Sequence, residues 1–361
     1  MKILPPVVVA IGTFWAAQAH SFPENIRHGY PSCVSCHVSP VGGGVLTPYG
    51  RGSSEAFIST FSKDGEGNFG YGLLSKSPEW LMVGGDQRGV AVVNQDQDNN
   101  LKTVYIPMQA DIEVAIQPIA GLTIGGSIGQ YGPDQLTEFR RSYIKVDVAS
   151  WLSVRAGRFL VAYGVNLPDH TTSTREGLGF GEGGESYNIE TAVITPWGES
   201  ILTFVDGNIT SFSGNSRKGY GFATDTMTGA AWRTAAYLGS NTQVGVSYLG
   251  VSNFEDYRQA YGAFAQSGVL TRGYVLVEYD RKFENSGYYD IILLKLGYEA
   301  TQGLVATVQG DTLKLTREGR LGLQWWPRPH WELIGEWRRT YEDLTNGAYQ
   351  DSGVVMIHHY L

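Results

Sequence analysis

From about residue 78 onward, apolar and polar side chains alternate in short runs, the period-two signature of strands whose two faces meet different surroundings. In 110–117, Ala110, Ile112, Val114 and Ile116 share one face, and Asp111, Glu113, Ala115 and Gln117 the other. Ile144, Val146 and Val148 oppose Tyr143, Lys145 and Asp147. Val275, Val277 and Tyr279 oppose Tyr274, Leu276, Glu278 and Asp280, and Trp331, Leu333, Gly335 and Trp337 oppose Glu332, Ile334, Glu336 and Arg338. About sixteen such segments can be placed, each roughly 10 residues long, the length a tilted strand needs to cross a bilayer. Their centres fall near Gly85, Ala110, Ile124, Tyr143, Ala156, Ile189, Leu202, Ala230, Val246, Tyr261, Val275, Leu293, Val305, Leu321, Ile334 and Val355.

Short connectors at 118–121, 149–151 and 300–303 alternate with longer polar ones, the longest being 166–184 with Pro168, His170, Arg175, Glu176 and Glu182. Short turns at one end and long loops at the other describe an outer-membrane barrel. The expected fold class is all-β, a transmembrane antiparallel barrel over 78–361. Trp80, Tyr131, Trp151, Trp197, Trp325, Trp326, Trp331 and Trp337 are expected in interfacial girdles. Arg140, Lys145, Asp147, Glu332 and Arg338 are expected to face the lumen. A secreted β-sandwich or β-helix also alternates, but explains less well the charged faces opposite Val/Ile/Leu faces. The uncharged run 114–133 invites a membrane helix, yet Pro118, Pro133 and the glycines at 121, 125, 126, 129 and 132 fit two strands better.

The first residues change the compartment. Met1 and Lys2 precede an apolar run over 3–15, and Ala17-Gln18-Ala19 has the small-x-small form of a cleavage site. Residues 1–19 read as a signal peptide rather than an uncleaved anchor, so the chain is expected to be exported, to the outer membrane of a Gram-negative bacterium.

The only two cysteines stand in Cys33-Val34-Ser35-Cys36-His37. Three readings compete. A local disulfide with thioredoxin-like chemistry wants the pair opening a helix in a strand–helix pattern, which is missing here. Half a zinc site lacks a second ligand pair. Covalent haem attachment has the signature C-x-x-C-H: two thiols bond one haem edge, and the next histidine is placed under the iron. The third reading is preferred. It makes Cys33 and Cys36 the covalent attachment points of one haem c and His37 the proximal iron ligand. After His37, Ser39-Pro40 and Gly42-Gly43-Gly44 end any helix, so the haem segment, 20–62, is too small to bury a haem alone. Residues 63–77 read as a linker. For the sixth ligand, His28 is the first choice, with Met82, Met108, His20 or an open position as alternatives.

This combination resembles the fused monohaem cytochrome–porins of outer membranes, some of which oxidise ferrous iron outside the cell. The resemblance rests on Cys33, Cys36 and His37, with support from His28-Gly29-Tyr30-Pro31 and Leu46-Thr47-Pro48-Tyr49-Gly50-Arg51. It implies a haem plug inside the barrel and electron transfer across the outer membrane. The implied partners are a periplasmic carrier such as a soluble cytochrome c, the membrane lipid, and an extracellular donor such as Fe(II) or an acceptor. On this reading the chain is an electron carrier, or an oxidoreductase where the outside partner counts as substrate. The rivals are a passive small-solute porin with a haem gate or sensor, and a secreted peroxidase-like haem protein.

Other signals are thin. Gly42-Gly43-Gly44 lacks a phosphate loop's lysine and reads as a hinge or a close approach to haem. Asp96, Asp98 and Asn99 do not complete a calcium loop. Glu182, Glu185 and Glu190 could collect cations near the mouth, but loop acidity is ordinary in a chain of net charge −8. His358 and His359, as strand neighbours, are expected on opposite faces. A net charge of −8 without a basic stripe speaks against nucleic acid as a partner.

Overall fold

The structure, a computed structural model, describes residues 23–72, 78, 80–95, 101–131, 136–169, 171–180, 184–206, 227–343 and 348–361. The expected signal peptide, His20, the end of the expected linker, Asp96, Asp98, Asn99, His170 and Glu182 lie outside them. Sixteen strands follow one another: β1 (Leu81–Gln95), β2 (Leu101–Ile119), β3 (Leu122–Tyr131), β4 (Leu136–Ala149), β5 (Leu152–Phe159), β6 (Ser186–Thr195), β7 (Gly198–Asp206) and β8 (Thr228–Tyr237), then β9 (Thr242–Ser252), β10 (Tyr257–Val269), β11 (Gly273–Glu284), β12 (Gly287–Thr301), β13 (Leu304–Leu313), β14 (Thr316–Trp325), β15 (Trp331–Asp343) and β16 (Ala348–Tyr360). Each pairs antiparallel with its neighbours, and β1 pairs with β16 to close the barrel. Every expected segment centre falls inside one of these strands.

The alternation decides which way each face turns. Ile112, Ile144, Ile189, Leu294, Leu321 and Val355 are exposed on the outside, whereas Glu113, Arg155, Glu190, Arg233, Asp280 and Glu332 are buried within. An apolar outer face on a closed sheet leaves no backbone group unpaired toward lipid, the condition for crossing a bilayer with strands. Among the described residues no helix is long and apolar enough to cross.

Three expectations need correction. Tyr131 and Trp326 are not girdle residues, since both are buried inside. Tyr131 donates to Asp111 at 2.7 Å beneath the Arg140 guanidinium, 3.5 Å from the ring centre. Trp80, Trp151, Trp197, Trp331 and Trp337 do face outward. The length asymmetry of the connections rests mainly on 160–185 and 207–227, because 285–286 and 314–315 are tight hairpins at the same end. The 160–185 connection is no exposed polar loop. Its described residues fold into the lumen, where Val161, Tyr163, Leu178 and Phe180 pack on Val205, Ala231, Leu249 and Ile291. Gly164 permits the turn: its φ is +53°, and a Cβ there would meet the Glu278 carboxylate at 1.6 Å.

The N-terminal segment 23–72 also lies within the barrel. It contains a 3-10 turn (Pro23–His28) and helix α1 (Pro48–Ser53), which runs into a wider turn through Ile58. Ile26, Leu46 and Ile58 pack against Phe264, Leu276, Leu293, Val305 and Tyr360 of the wall. Gly268 lets the segment touch the sheet, because a Cβ there would lie 2.7 Å from the Arg27 Cα. Lys295 of β12 pairs with Glu24 at 2.7 Å, Arg155 of β5 donates to Ser39 at 2.8 Å, and Arg51 donates to the Val83 carbonyl. Thr60 N and Phe61 N donate to the Trp326 and Pro327 carbonyls at 2.8 and 3.0 Å, fixing the segment to the turn end of the barrel. Residues 63–72 of the expected linker are held as well, since the Glu55 carboxylate accepts from Gly65 N and Gly67 N.

Candidate functional site

Cys33 opens a single 3-10 turn whose carbonyl accepts from Cys36 N at 3.2 Å and His37 N at 3.0 Å. Beyond it the chain doubles back: His37 bridges to Leu46, Val38 N donates to Val45 O at 3.2 Å, and Thr47 N donates to Cys36 O at 2.8 Å. The return needs three successive left-handed residues, which Gly42, Gly43 and Gly44 supply at φ +79°, +67° and +73°. Thr47 then caps α1, accepting from Gly50 N at 3.1 Å while donating to Ser35 O at 2.8 Å.

This fold-back faces a cavity inside the barrel. Cys33, His37 and Gly42–Gly44 line it from the segment, Met108, Arg140, Arg141 and Arg155 from the wall, and Pro168 and Arg175 from the inward loop. A Cβ on Gly42 would lie 3.3 Å from the Cys33 sulfur and 3.7 Å from the His37 ring, so glycine keeps clear the space beside both. Cys36 is fully buried behind them in the core.

His37 Nδ1 lies 3.2 Å from the Gly44 carbonyl. Burial above all, opposed by that hydrogen bond, lowers the ring to about 4, so it is neutral near pH 7. In the tautomer that donates to Gly44, Nε2 carries a free lone pair, the arrangement of an oriented imidazole ligand. The thiols are not joined in a disulfide. Burial, and next the Glu199 carboxylate, push Cys33 up to about 12; burial, and next Cys33, raise Cys36 well above the thiol range. A thioredoxin-like pair needs the opposite shift. Among the described residues no three His, Cys, Asp or Glu side chains are grouped to hold a metal ion.

The cavity is rich in arginine for a structural reason. A bulge in β4, opposite Ser127 and Ile128, breaks the alternation, so Arg140 and Arg141 both reach the lumen. Arg141 pairs with Glu113 at 2.7 Å and Arg155 with Glu190 at 2.8 Å. Glu185 and Glu190 are buried rather than solvated loop acids. Arg175, on the short helix α2 (Ser173–Glu176), is buried with Nη1 lacking a hydrogen-bond partner, and burial lowers it to about 10.

The distal candidates separate. His28 is not among the residues lining this cavity. Its Nε2 lies 4.0 Å from Glu299 and its ring 5.0 Å from Phe57, and burial, then Arg27, lower it to about 4. Met82 packs on Val38, Val45 and Ala115. Met108 does line the cavity, because a second bulge opposite Arg88 and Gly89 turns both it and Gln109 inward. His358 lines it too, held between Glu332 at 2.6 Å and Asp86 at 3.2 Å. His359 points the other way and packs on Trp331, as expected for strand neighbours. Sequence alternation could not reveal the bulged residues; Pro107, which lacks an N–H, was the one hint beside Met108.

A closed sixteen-strand barrel with an apolar outside and a charged inside defines a porin-type outer-membrane barrel fold. Solved porins agree. The anion-selective porin from Comamonas acidovorans superposes with a TM-score of 0.57 at 12% identity, over 78% of this chain and 99% of that one. The outer membrane channel DcaP of Acinetobacter baumannii gives 0.55 at 13% identity, over 79% and 99%, and OprB of Pseudomonas putida 0.60 at 10%, over 78% and 94%. No family model and no curated protein matches the sequence.

Proposed function

We propose that this chain resides in the outer membrane as a porin-type barrel built around one covalent haem c, and that it passes electrons across that membrane. The fold likeness alone favours the wider class, a solute channel. The observation that carries the narrower reading is the shared cavity of Cys33 and His37, with Nε2 of a neutral, oriented imidazole left open.

The residues suit the group. Cys33 would form one thioether bond and His37 would supply the proximal nitrogen from the cavity wall, and Cys36, buried behind them, would have to turn toward the cavity to form the second. Arg175, whose Nη1 is unpaired, would take a propionate, with Arg140 and Arg141 beside it. Met108 replaces His28 as the distal candidate. A bound haem would supply a one-electron centre inside the barrier. The barrel walls, the inward loop and the N-terminal segment together line the cavity. The segment also obstructs a wide pore, which argues for electrons over solutes as cargo. A periplasmic carrier on one side and an extracellular donor or acceptor on the other would complete the path.

The test is the haem-stained denaturing gel and pyridine-haemochrome spectrum of protein matured with an intact haem-attachment system. Wild type should carry one covalent haem, and Cys36→Ala should lose most of it. Proteoliposomes should exchange electrons with an external acceptor only when the haem is present. Colourless wild type, or solute efflux untouched by Cys36→Ala with no electron exchange, would leave the passive channel as the function.

A further inference from the structure

Inward-pointing aliphatic side chains occur around most of the barrel, and on one side they are covered. Leu276, Leu293 and Val305 are fully buried under the N-terminal segment, and Leu249 and Ile291 under the inward loop. Across β15, β16, β1 and β2 the situation differs. Ile334, Met356, Val90 and Ile106 stand in one cross-strand row, since Ile334 pairs with Met356, Met356 with Val90, and Val90 with Ile106. Val354 and Val92 form the next row. Five of the six are only half-buried, and all six line a second cavity of about 420 Å³. A water-filled barrel interior is ordinarily polar, so an apolar plate that the described residues leave uncovered calls for a reason.

From strand spacing and rise, the plate measures roughly 14 Å by 7 Å. A flat sheet face of that size matches a fused two-ring system, and the cavity falls in the range of small-molecule sites. The charges around it indicate the ligand's own charge. Glu24 pairs with Lys295 at 2.7 Å, Glu336 with Arg338 at 2.6 Å, Glu332 with His358 at 2.6 Å, and Arg88 with Asp86 at 2.6 Å. Asp169 pairs with Arg320 at 2.7 Å, and Arg320 also reaches Glu318. Each lining cation is thus already paired, and Arg320 alone is shared by Asp169, Glu318 and Asp311, so carboxylates are in excess and no cation is left to hold an anionic ligand. The hydroxyls of Thr307 and Ser352 line the cavity to meet an oxygen substituent, whereas that of Thr171 is already bonded to Asp169, Arg320 and Arg338. Below the plate, Arg88, Met108 and His358 line both cavities, so an occupant would sit next to the Cys33–His37 site.

We propose that the plate binds a small aromatic ring compound that carries no negative charge and bears hydroxyl or carbonyl oxygens. The proposal does not depend on the haem, and its test reads binding directly. Full-length protein in lipid nanodiscs is titrated with naphthol and, separately, with naphthalenesulfonate, each against empty nanodiscs. Naphthol should saturate one site, and the sulfonate should bind at least about tenfold more weakly, a difference near 1.4 kcal/mol. Val90→Thr with Val354→Thr keeps the shape but roughens the plate, and should weaken naphthol about tenfold. Val355→Thr, on the lipid face, should leave it unchanged and checks folding. Equal binding of the sulfonate, an unchanged affinity in the double variant, or an equal loss in Val355→Thr would overturn the proposal. So would naphthol binding confined to haem-free protein, since haem would then be the occupant. Colourless protein that still binds naphthol at the plate would sink the haem reading alone.

Discussion

The two sides of the lumen wall are built from the same alternation and finished differently. Along β8–β13 the inward apolar residues meet the N-terminal segment or the inward loop, and the result resembles a protein core, with Leu276, Leu293 and Val305 at 0% exposure. Along β15, β16, β1 and β2 equivalent residues look onto a cavity. The difference teaches that inward polarity in a barrel is not a property of the strands alone. It depends on what each stretch of wall is given to cover it.

The largest expected effect comes from loosening the covered side. Lys295→Met leaves Glu24 charged and buried without its partner, and removing one member of a buried pair typically costs about 3–5 kcal/mol. The urea midpoint should fall and single-channel conductance should rise as the segment loosens; an unchanged conductance would show that the pair does not hold it. Gly50→Ala comes next. Its Cβ would stand 2.4 Å from the Cys36 carbonyl oxygen, backbone against helix, and overpacking of this kind costs about 1–3 kcal/mol. The yield of covalently haem-loaded protein should drop with it.

A matched pair sharpens the comparison. Val305→Thr buries a hydroxyl in the covered core and should cost about 1–3 kcal/mol. Val90→Thr places the same hydroxyl on the open plate, where about 0.5 kcal/mol or less is expected. Equal midpoints in denaturant would erase the distinction between the two sides.

A separate effect is with pH. His330, in the β14–β15 turn, is fully buried, and burial followed by the Arg51 guanidinium lowers it to about 4. The unfolded chain, with its ordinary histidine near 6.5, takes up the proton first. Stability is therefore full above about pH 6.5 and declines as the pH falls toward 4. His330→Asn, which tolerates the left-handed φ of +67°, should flatten that decline.

Strand existence and facing were legible because a bilayer and a charged lumen select opposite side chains at every second position. The opposite placement of His358 and His359 followed from the same rule. What broke the rule was not legible: a bulge leaves no fixed mark, so the joint entry of Arg140 with Arg141, and of Met108 with Gln109, was hidden. The 160–185 stretch misled for another reason. Its Arg175, Glu176 and Glu185 look solvated in sequence, but Arg175 and Glu185 are buried in the lumen. The Cys33–His37 spacing showed which residues to watch, whereas the Gly44 carbonyl that orients the imidazole depended on a fold-back only three-dimensional structure displays.

The seam between β1 and β16 carries a last implication. Tyr360 of β16 lies 3.2 Å from Ser54 and its amide donates to His330 O, while His330 N donates to the same serine. The join that shuts the cylinder thus shares a knot of contacts with the segment stored inside it. The end of the wall and the segment it encloses are therefore fastened at one point, so that a change at Ser54 is felt at the seam as well as inside.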